Sequence, residues 1–390
     1  MPIKHCKARR GNFLKSEEPA LTIGIEEEYL LVDRETRELA SDPPGELFAE
    51  CEKHVPGLVR PEFMKAQIEV GTSVCKTANE ARAQLAHLRS TIREISTNYG
   101  LVPIAASTHP SSEWKAQTHT DKDRYNVLAD DMQVVARRLL ISGMHVHIGI
   151  EDNNFRIDLL NQASYFLPHL LALSTSSPFW RGDDTGLQSY RISVFDELPR
   201  TGLPARFETY DEYRRHIDVL IKTGVIPDAT MIWWDLRLSD KFPTVEMRIT
   251  DICTYLDDAV AIAALYQCIA RMLYRLRLSN QRWRLYDNIL VNENRWRAQR
   301  YGTEGGMIDF GKAEMVDFKE LMEELTELVA IDAKELGCVD EINHIHTIIS
   351  RGTSASLQRK VYNEKIKSGA PAQDALNAVV DWLAEATHQY

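Results

Sequence analysis

Five segments of this chain alternate apolar and polar residues with the period of two that is typical of β-strands. They are TIGIEEEYLLV (22–32), KAQIEVGT (65–72), GMHVHIGI (143–150), MIWWDLRL (231–238) and TVEMRITD (244–251). Because successive side chains of a strand point to opposite faces, each segment has one apolar and one polar face. The polar face of a solvated sheet normally carries lysine, serine and threonine, whereas acids, histidine and arginine concentrate here. We therefore interpret the shared polar face as a reactive surface.

The polar positions of these segments make up a carboxylate-rich set. It comprises Glu26, Glu28, Gln67, Glu69, His145, His147, Trp233, Asp235, Arg237, Glu246 and Arg248. Converging carboxylates repel one another and raise one another's pKa unless a cation neutralises them. Hard oxygen ligands suit Mg²⁺ or Mn²⁺, and an imidazole can join such a shell. Since the planar forks of Arg237 and Arg248 suit phosphate or carboxylate oxygens, the set predicts phosphoryl transfer.

The segments between these strands favour helices. TANE (77–80) predicts a helix start with a capping box, and residues 122–140 and about 155–175 also favour helix. LVPIAA (101–106) favours a further short strand, and the chain after about residue 256 is predicted to be helical. Strands interleaved with helices, followed by a helical C-terminal third, indicate an α+β fold.

The segment 177–204 is predicted to be a long loop, since it contains three prolines, three glycines and many polar residues. Loops of this length in a compact domain are usually functional. Arg181, Asp183 and Asp184 either close over a substrate or only form turns, and the sequence leaves both readings open.

Charge and composition limit the classes of partner. The net charge of −11 argues against general nucleic-acid binding, and the six cysteines form no CxxC pair, which fits a reducing cytoplasm. The apolar stretch Ala259–Met272 is too short and too polar for a membrane span, so we expect a buried helix and no membrane partner. Residues 1–18 have no apolar segment of a secretory signal and are predicted to be a disordered extension. Residues 19–390 are predicted to form a single domain.

Two other chemistries remain open at this point. The chain has neither the GxxxxGK[ST] of a P-loop nor a GxGxxG after a strand. His145-x-His147 with neighbouring acids is compatible with zinc in a metal-dependent amide hydrolase. A non-catalytic binding module on the same fold is the other alternative.

Nine sequence blocks in a consistent order resemble a known family. They are GIEEEYLLVD, QIEVGTS, SGMHVHIGI, SPFWRGDDTGLQSYRISVF, LPRTGLP, WWDLRLS, TVEMRITD, ENRWRAQRYG and SRGTSA. Together, from about residue 20 to about residue 365, they resemble the type 2 glutamate–cysteine ligase family, in its bacterial branch of weak carboxylate–amine ligases.

This resemblance implies a curved, mainly antiparallel sheet of about six strands with flanking helices, related to that of glutamine synthetase. It implies binding of ATP and Mg²⁺, with Mn²⁺ as a substitute, on the polar face. The γ-phosphoryl group of ATP would pass to a carboxylate, expected to be the γ-carboxylate of glutamate. Attack by an amine, either cysteine or another, would then give the amide, ADP and phosphate. The expected partners are small molecules, and a homodimer stays open.

The resemblance also implies roles for individual residues. Glu26, Glu28, Glu69, His145 and Glu246 match metal ligands, Arg248 matches a phosphate-binding arginine, and Arg191 matches an arginine that holds the substrate glutamate.

Further site residues are expected around this set. We assign Arg237 with Arg248 to catalysis, Tyr190, His147 and Trp233 with Arg191 to substrate binding, and Arg295 and Arg300 with Arg248 to the nucleotide. Glu27 has the opposite parity, so we expect a structural ion pair for it.

Overall fold

One antiparallel sheet organises the computed structural model, which describes residues 18–390. The strands are β1 Ile23–Asp33, β2 Val59–Pro61, β3 Gln67–Gly71, β4 Leu101–Ile104, β5 Met144–Gly149, β6 Phe179–Trp180, β7 Asp183–Asp184, β8 Leu236–Leu238, β9 Thr244–Met247, β10 Gly306–Asp309 and β11 Glu314–Asp317. The main sheet has the order β2-β3-β1-β5-β9-β8, and β4 pairs with β1 outside this order. The pairs β6–β7 and β10–β11 form separate small ribbons.

Helices flank the sheet and form most of the C-terminal third. They are α1 Gly45–His54, α2 Ala78–Asn98, α3 Asp123–Met132, α4 Val134–Arg137, α5 Asn153–Ala163, α6 Leu167–Ser174, α7 Tyr190–Phe195, α8 Tyr210–Lys222, α9 Leu256–Leu278, α10 Asn288–Tyr301, α11 Phe318–Leu328, α12 Ala330–Leu336, α13 Val339–Arg351, α14 Ser354–Lys367 and α15 Ala372–Ala386. The predicted α+β class with a mainly antiparallel sheet is confirmed.

The strand register brings the polar positions of different strands side by side. On β1, Glu26 lies opposite His145 of β5, and Glu28 lies opposite Glu69 of β3. His147 lies opposite Glu246 of β9, which in turn lies opposite Arg237 of β8. Residues that oppose each other in an antiparallel pair share a face of the sheet. The register therefore places the predicted reactive residues on one surface.

Helix α9 is the central helix of the core. It is long and apolar enough to cross a membrane by length and composition, but 83% of its apolar window is buried inside the protein. It packs against α2 and α13 on the apolar side of the sheet. The expectation of a buried helix at Ala259–Met272 agrees with this placement.

Three local predictions need correction. The predicted helix 122–140 breaks at Gln133, whose φ of 51° lies in the left-handed region and ends α3. Only Leu236–Leu238 of the predicted strand 231–238 is a strand, because Ala229–Met231 turns as a 3₁₀ helix. The C-terminal third also contains the β10–β11 hairpin, whose four-residue strands are too short to leave a clear periodic pattern.

The segment 177–204 is anchored to the rest of the fold. It contains the β6–β7 ribbon and α7, and Arg181 forms an ion pair with Glu113 while Asp184 pairs with Arg359. These contacts favour the turn-forming reading of the predicted loop. The predicted N-terminal extension, residues 1–18, lies outside the described residues apart from Glu18.

Candidate active site

A cavity of about 360 Å³ opens over the polar face of the sheet. Of the predicted site residues, Glu26, Glu28, Glu69, His145, Arg191, Trp233, Arg237 and Arg248 line it. Glu246 lies buried beneath this lining, with 1% of its surface exposed. Most of the residues that alternation selected on separate strands therefore meet around one space.

The first carboxylate cluster comprises Glu26, His145 and Glu246, whose potential ligand atoms all lie within 4.8 Å of one another. His145 Nδ1 is 3.5 Å and His147 Nε2 is 3.7 Å from Glu26 Oε2. Although burial acts to raise it, the two neighbouring imidazoles hold the pKa of Glu26 well below its usual range. Burial lowers the pKa of His145 to about 4, so its imidazole is neutral and can bind a metal.

Two arginines hold Glu246 in its charged form. Arg237 donates from Nε to Glu246 Oε2 at 2.8 Å, and Arg248 donates to Oε1. Burial acts to raise the pKa of Glu246, but the positive charges of Arg248 and Arg237 keep it well below its usual range. The floor of the cavity thus contains a fixed carboxylate between two guanidinium groups.

The second cluster comprises Glu28, Glu62 and Glu69, again with potential ligand atoms within 4.8 Å. Burial, followed by the charge of Glu62, raises the pKa of Glu28 to about 8 and raises that of Glu69 well above its usual value. Three clustered carboxylates, of which Glu28 and Glu69 resist ionisation, are what a divalent cation would stabilise. The donor set therefore fits Mg²⁺ or Mn²⁺ better than zinc, which prefers nitrogen and sulfur.

Glu62 is a candidate ligand that the sequence analysis missed. It follows the three-residue strand β2 directly, so it has no alternating neighbours to mark its face. The only signal was an acidic residue between two predicted strands, which is too common to be selective.

Arg191 reaches the cavity from α7. Its guanidinium donates from Nη1 to the carbonyl of Ile249 at 3.2 Å and from Nη2 to the carbonyl of Arg248 at 3.1 Å. The α7 N-terminus is tied down because Asp251 accepts hydrogen bonds from Ser177 Oγ at 2.7 Å and Ser189 Oγ at 2.8 Å. Arg191 is therefore a buried, oriented fork with donors left for a ligand.

We expect Gly143→Ala to displace Arg191 without unfolding the protein. An alanine Cβ at this position would lie 2.5 Å from Arg191 Nη2, so the side-chain end must move. The KM for the carboxylate that the sequence analysis assigns to Arg191 should rise about tenfold, less than on loss of a whole charge-assisted contact. Steady-state kinetics measures this, with Gly24→Ala as control, because its Cβ would meet His147 at an ordinary 3.6 Å. Equal KM values in the two variants would contradict the placement of Arg191.

The three other residues that were assigned to substrate binding, Trp233, His147 and Tyr190, have different neighbours. Arg200 stacks on the Trp233 ring at 5.3 Å, and His147 Nδ1 lies 2.9 Å from Thr244 Oγ1. Within the described residues His147 Nε2 is buried without a hydrogen-bond partner, as expected for an atom that receives a metal or ligand. The ring of Tyr190 packs on Trp180 at 5.3 Å and does not line the cavity.

The structure does not bring Arg295 and Arg300 into the cavity. Arg295 donates to Asp235 at 2.7 Å and to Asp196 at 2.7 and 2.8 Å, so carboxylates already occupy its fork. Arg300 donates to the carbonyl of Gly186. Both arginines connect α10 to the segment 177–204. The structure therefore gives them contacts within the protein at the positions where the sequence analysis expected contacts with the nucleotide. Asp235 likewise serves as the buried partner of Arg295 and is not among the cavity-lining residues.

Without a divalent cation, the stability of the protein should depend on pH. The raised pKa of Glu28, about 8 against 4.5, means that the folded protein binds this proton more tightly than the unfolded chain. Metal-free protein should therefore lose stability as pH rises through this interval, and Mg²⁺ should raise Tm more at about pH 8 than at about pH 5. Thermal melts in EDTA and in MgCl₂ measure this. Glu28→Gln should reduce the pH dependence, and an equal Mg²⁺ effect at both pH values would contradict the cluster.

Comparison with known proteins decides the family. The sequence pattern of glutamate–cysteine ligase family 2 matches residues 22–377. The chain belongs to this family. A Rhodospirillum rubrum protein named as a candidate glutamate–cysteine ligase 2 is 57% identical over 374 residues, which are 95% of this chain and 96% of the relative. A Jannaschia protein with the same name is 53% identical, over 94% of this chain and 97% of its own.

Solved structures share the fold of this family 2 chain at low sequence identity. A Francisella tularensis glutamate–cysteine ligase, solved in complex with AMP, matches 95% of this chain and 89% of its own with a TM-score of 0.65 and 12% identity. A bifunctional glutathione synthetase from Pasteurella multocida matches 94% of this chain with a TM-score of 0.67 and 15% identity. This chain spans about half (52%) of that larger protein. Membership of family 2 supports a ligase enzyme.

Proposed function

We propose that this chain is an ATP-dependent ligase that joins the γ-carboxylate of glutamate, or a similar carboxylate, to an amine. The γ-phosphoryl group of ATP passes to a carboxylate oxygen and ADP leaves. The amine nitrogen then bonds to the acyl carbon, loses a proton and expels phosphate, and cysteine is one acceptor with weak turnover. The observation that carries this proposal is the pair of carboxylate clusters beside Arg237 and Arg248 on one sheet face.

The two carboxylate clusters would hold the divalent cations. Glu26, His145 and Glu246 form one candidate site, and Glu28, Glu62 and Glu69 form the other. Mg²⁺ held there would neutralise the negative charge of the phosphates. The buried His147 Nε2 and the mixed carboxylate–imidazole donors of the first cluster support this assignment.

The arginines divide between the two substrates. Arg248 is buried, and within the described residues its Nε has no hydrogen-bond partner. A transferred phosphoryl group would satisfy this donor, with Arg237 beside it across Glu246. Arg191, held on a separate element, is assigned to the carboxylate substrate, which its fork would bind in two places. We also propose that the enzyme acts on small molecules in the cytoplasm.

Release of ADP with trapping of the acyl phosphate tests this proposal. Protein, Mg·ATP, glutamate and hydroxylamine should yield ADP and a hydroxamate in equal amounts, since hydroxylamine is small enough to attack any acyl phosphate. EDTA should abolish both products, and Mg²⁺ or Mn²⁺ should restore them. Activity that returns only with Zn²⁺, or amide hydrolysis without ATP, would favour the hydrolase. Absence of ADP with every amine would favour a binding module.

A further inference from the structure

Beside the second cluster, the cavity has an apolar section, formed by Phe63, Tyr125, Leu128, Leu139 and Ile141. The rings of Phe63 and Tyr125 meet edge to face at 5.6 Å. Leu128 stands one helical turn after Tyr125 on α3, so the two side chains share a face. The described residues of this section offer no thiol, amide or charged group to a side chain that enters it. We call these five residues the apolar wall.

The apolar wall is attached directly to the second cluster. Phe63 follows Glu62 in the chain, and its carbonyl accepts a hydrogen bond from the Thr120 amide at 2.8 Å. Thr120 Oγ1 also donates to the carbonyl of Glu62 at 2.6 Å, and the Lys65 amide donates to Thr118 at 3.0 Å. Because these bonds join the segment before α3 to the Glu62 backbone, the wall and the carboxylates keep a fixed relation.

Positive charge borders the apolar wall. Lys122 and Arg124, at the start of α3, line the same cavity. Within the described part of the chain, Arg124 has no carboxylate at ion-pair distance. Lys122 Nζ lies 3.4 Å from the carbonyl of Pro61 and 5.3 Å from the centre of the Tyr125 ring. A ligand in this section of the cavity would therefore contact carboxylates, apolar side chains and cations that lie near one another.

We propose that the acceptor amine is an α-amino acid with a bulky apolar side chain, such as leucine or phenylalanine. Its amino group would face the Glu62 side of the cavity, its side chain would pack on the apolar wall, and its carboxylate would face Arg124. This inference rests on the proposed ligase function and names its second substrate. Cysteine would leave much of the wall uncovered, since its side chain is shorter than that of leucine.

Rates with a panel of acceptors test the proposal. The kcat/KM for leucine or phenylalanine should exceed that for alanine and cysteine by at least about 10- to 200-fold, the range that a single methylene group in an apolar pocket provides. Leucine should also exceed isoamylamine, which has the same side chain without the carboxylate. Hydroxylamine, which does not need the wall, reports on formation of the acyl phosphate alone.

Variants on α3 connect this selectivity to the wall. Leu128→Ala should reduce the leucine-to-alanine ratio of kcat/KM about tenfold, and Arg124→Met should remove the preference for leucine over isoamylamine. Val127→Ala, on the exposed side of the same helix, should change neither ratio. If hydroxamate forms with hydroxylamine, but cysteine or alanine is a better acceptor than leucine, this inference is wrong and the proposed ligase function still holds. Absence of hydroxamate and ADP in every reaction would overturn both.

Discussion

Glu246→Gln should lower kcat roughly 1,000-fold or more while the fold stays intact. The carboxylate is buried, belongs to the first cluster and fixes the Arg237 and Arg248 guanidinium groups. Its replacement weakens a metal site and releases both arginines from their shared anchor. Since transition-state charge is stabilised by donors held in place, loss of the anchor adds to loss of the metal ligand. Steady-state turnover with saturating ATP and glutamate measures the change.

The control for this variant is the same substitution at a glutamate outside the cavity. Glu314→Gln on the exposed strand β11 should leave turnover and Tm unchanged. Glu246→Gln should keep its far-UV circular dichroism and lose most of the Tm gain that Mg²⁺ gives the parent protein. Near-parental turnover in Glu246→Gln would mean that the first cluster is not the catalytic centre.

Alternation revealed most of the candidate site because the sheet is antiparallel and packs its apolar core against only one of its faces. In such a sheet the side-chain parity of each strand assigns its face, and the register then joins the faces. Glu26 and His145 oppose each other, as do His147 and Glu246, although each pair is separated by about a hundred residues or more. The sequence predicts that these residues share a face, because the apolar parity must face the core, and the structure then gives their pairing.

The sequence could not reveal contacts that depend on loops and helix ends. Glu62 follows the three-residue strand β2, and its position beside Glu69 depends on the course of the chain after that strand. The guanidinium of Arg295 could bind a phosphate, but it already forms ion pairs with Asp196 and Asp235. Whether an arginine is free or paired depends on long-range packing, which periodicity does not report.

The substitution Arg89→Met is expected to lower the stability of the protein strongly. Arg89 and Glu27 form an ion pair with neither side chain exposed, in which Nη2 lies 2.6 Å from Oε1. The same guanidinium donates to the carbonyls of Cys253, Thr254 and Thr387, which connects α2 to the chain before α9 and after α15. Its removal leaves a buried carboxylate without a counter-charge, so the free energy of unfolding should fall by about 3–5 kcal/mol. Urea denaturation followed by circular dichroism measures this.

Arg82 supplies a matched control on the same helix. It forms an ion pair with Asp257 at 2.7 Å, but the two side chains are 38% and 47% exposed. Arg82→Met should therefore cost less than about 1 kcal/mol, because solvent screens both charges already. The double variant Glu27→Gln with Arg89→Met should recover part of the loss, since no uncompensated charge stays buried, whereas the three carbonyls remain without their donor. Equal losses for Arg82→Met and Arg89→Met would contradict the view that Glu27, on the opposite parity to Glu26 and Glu28, anchors β1 from behind the cavity.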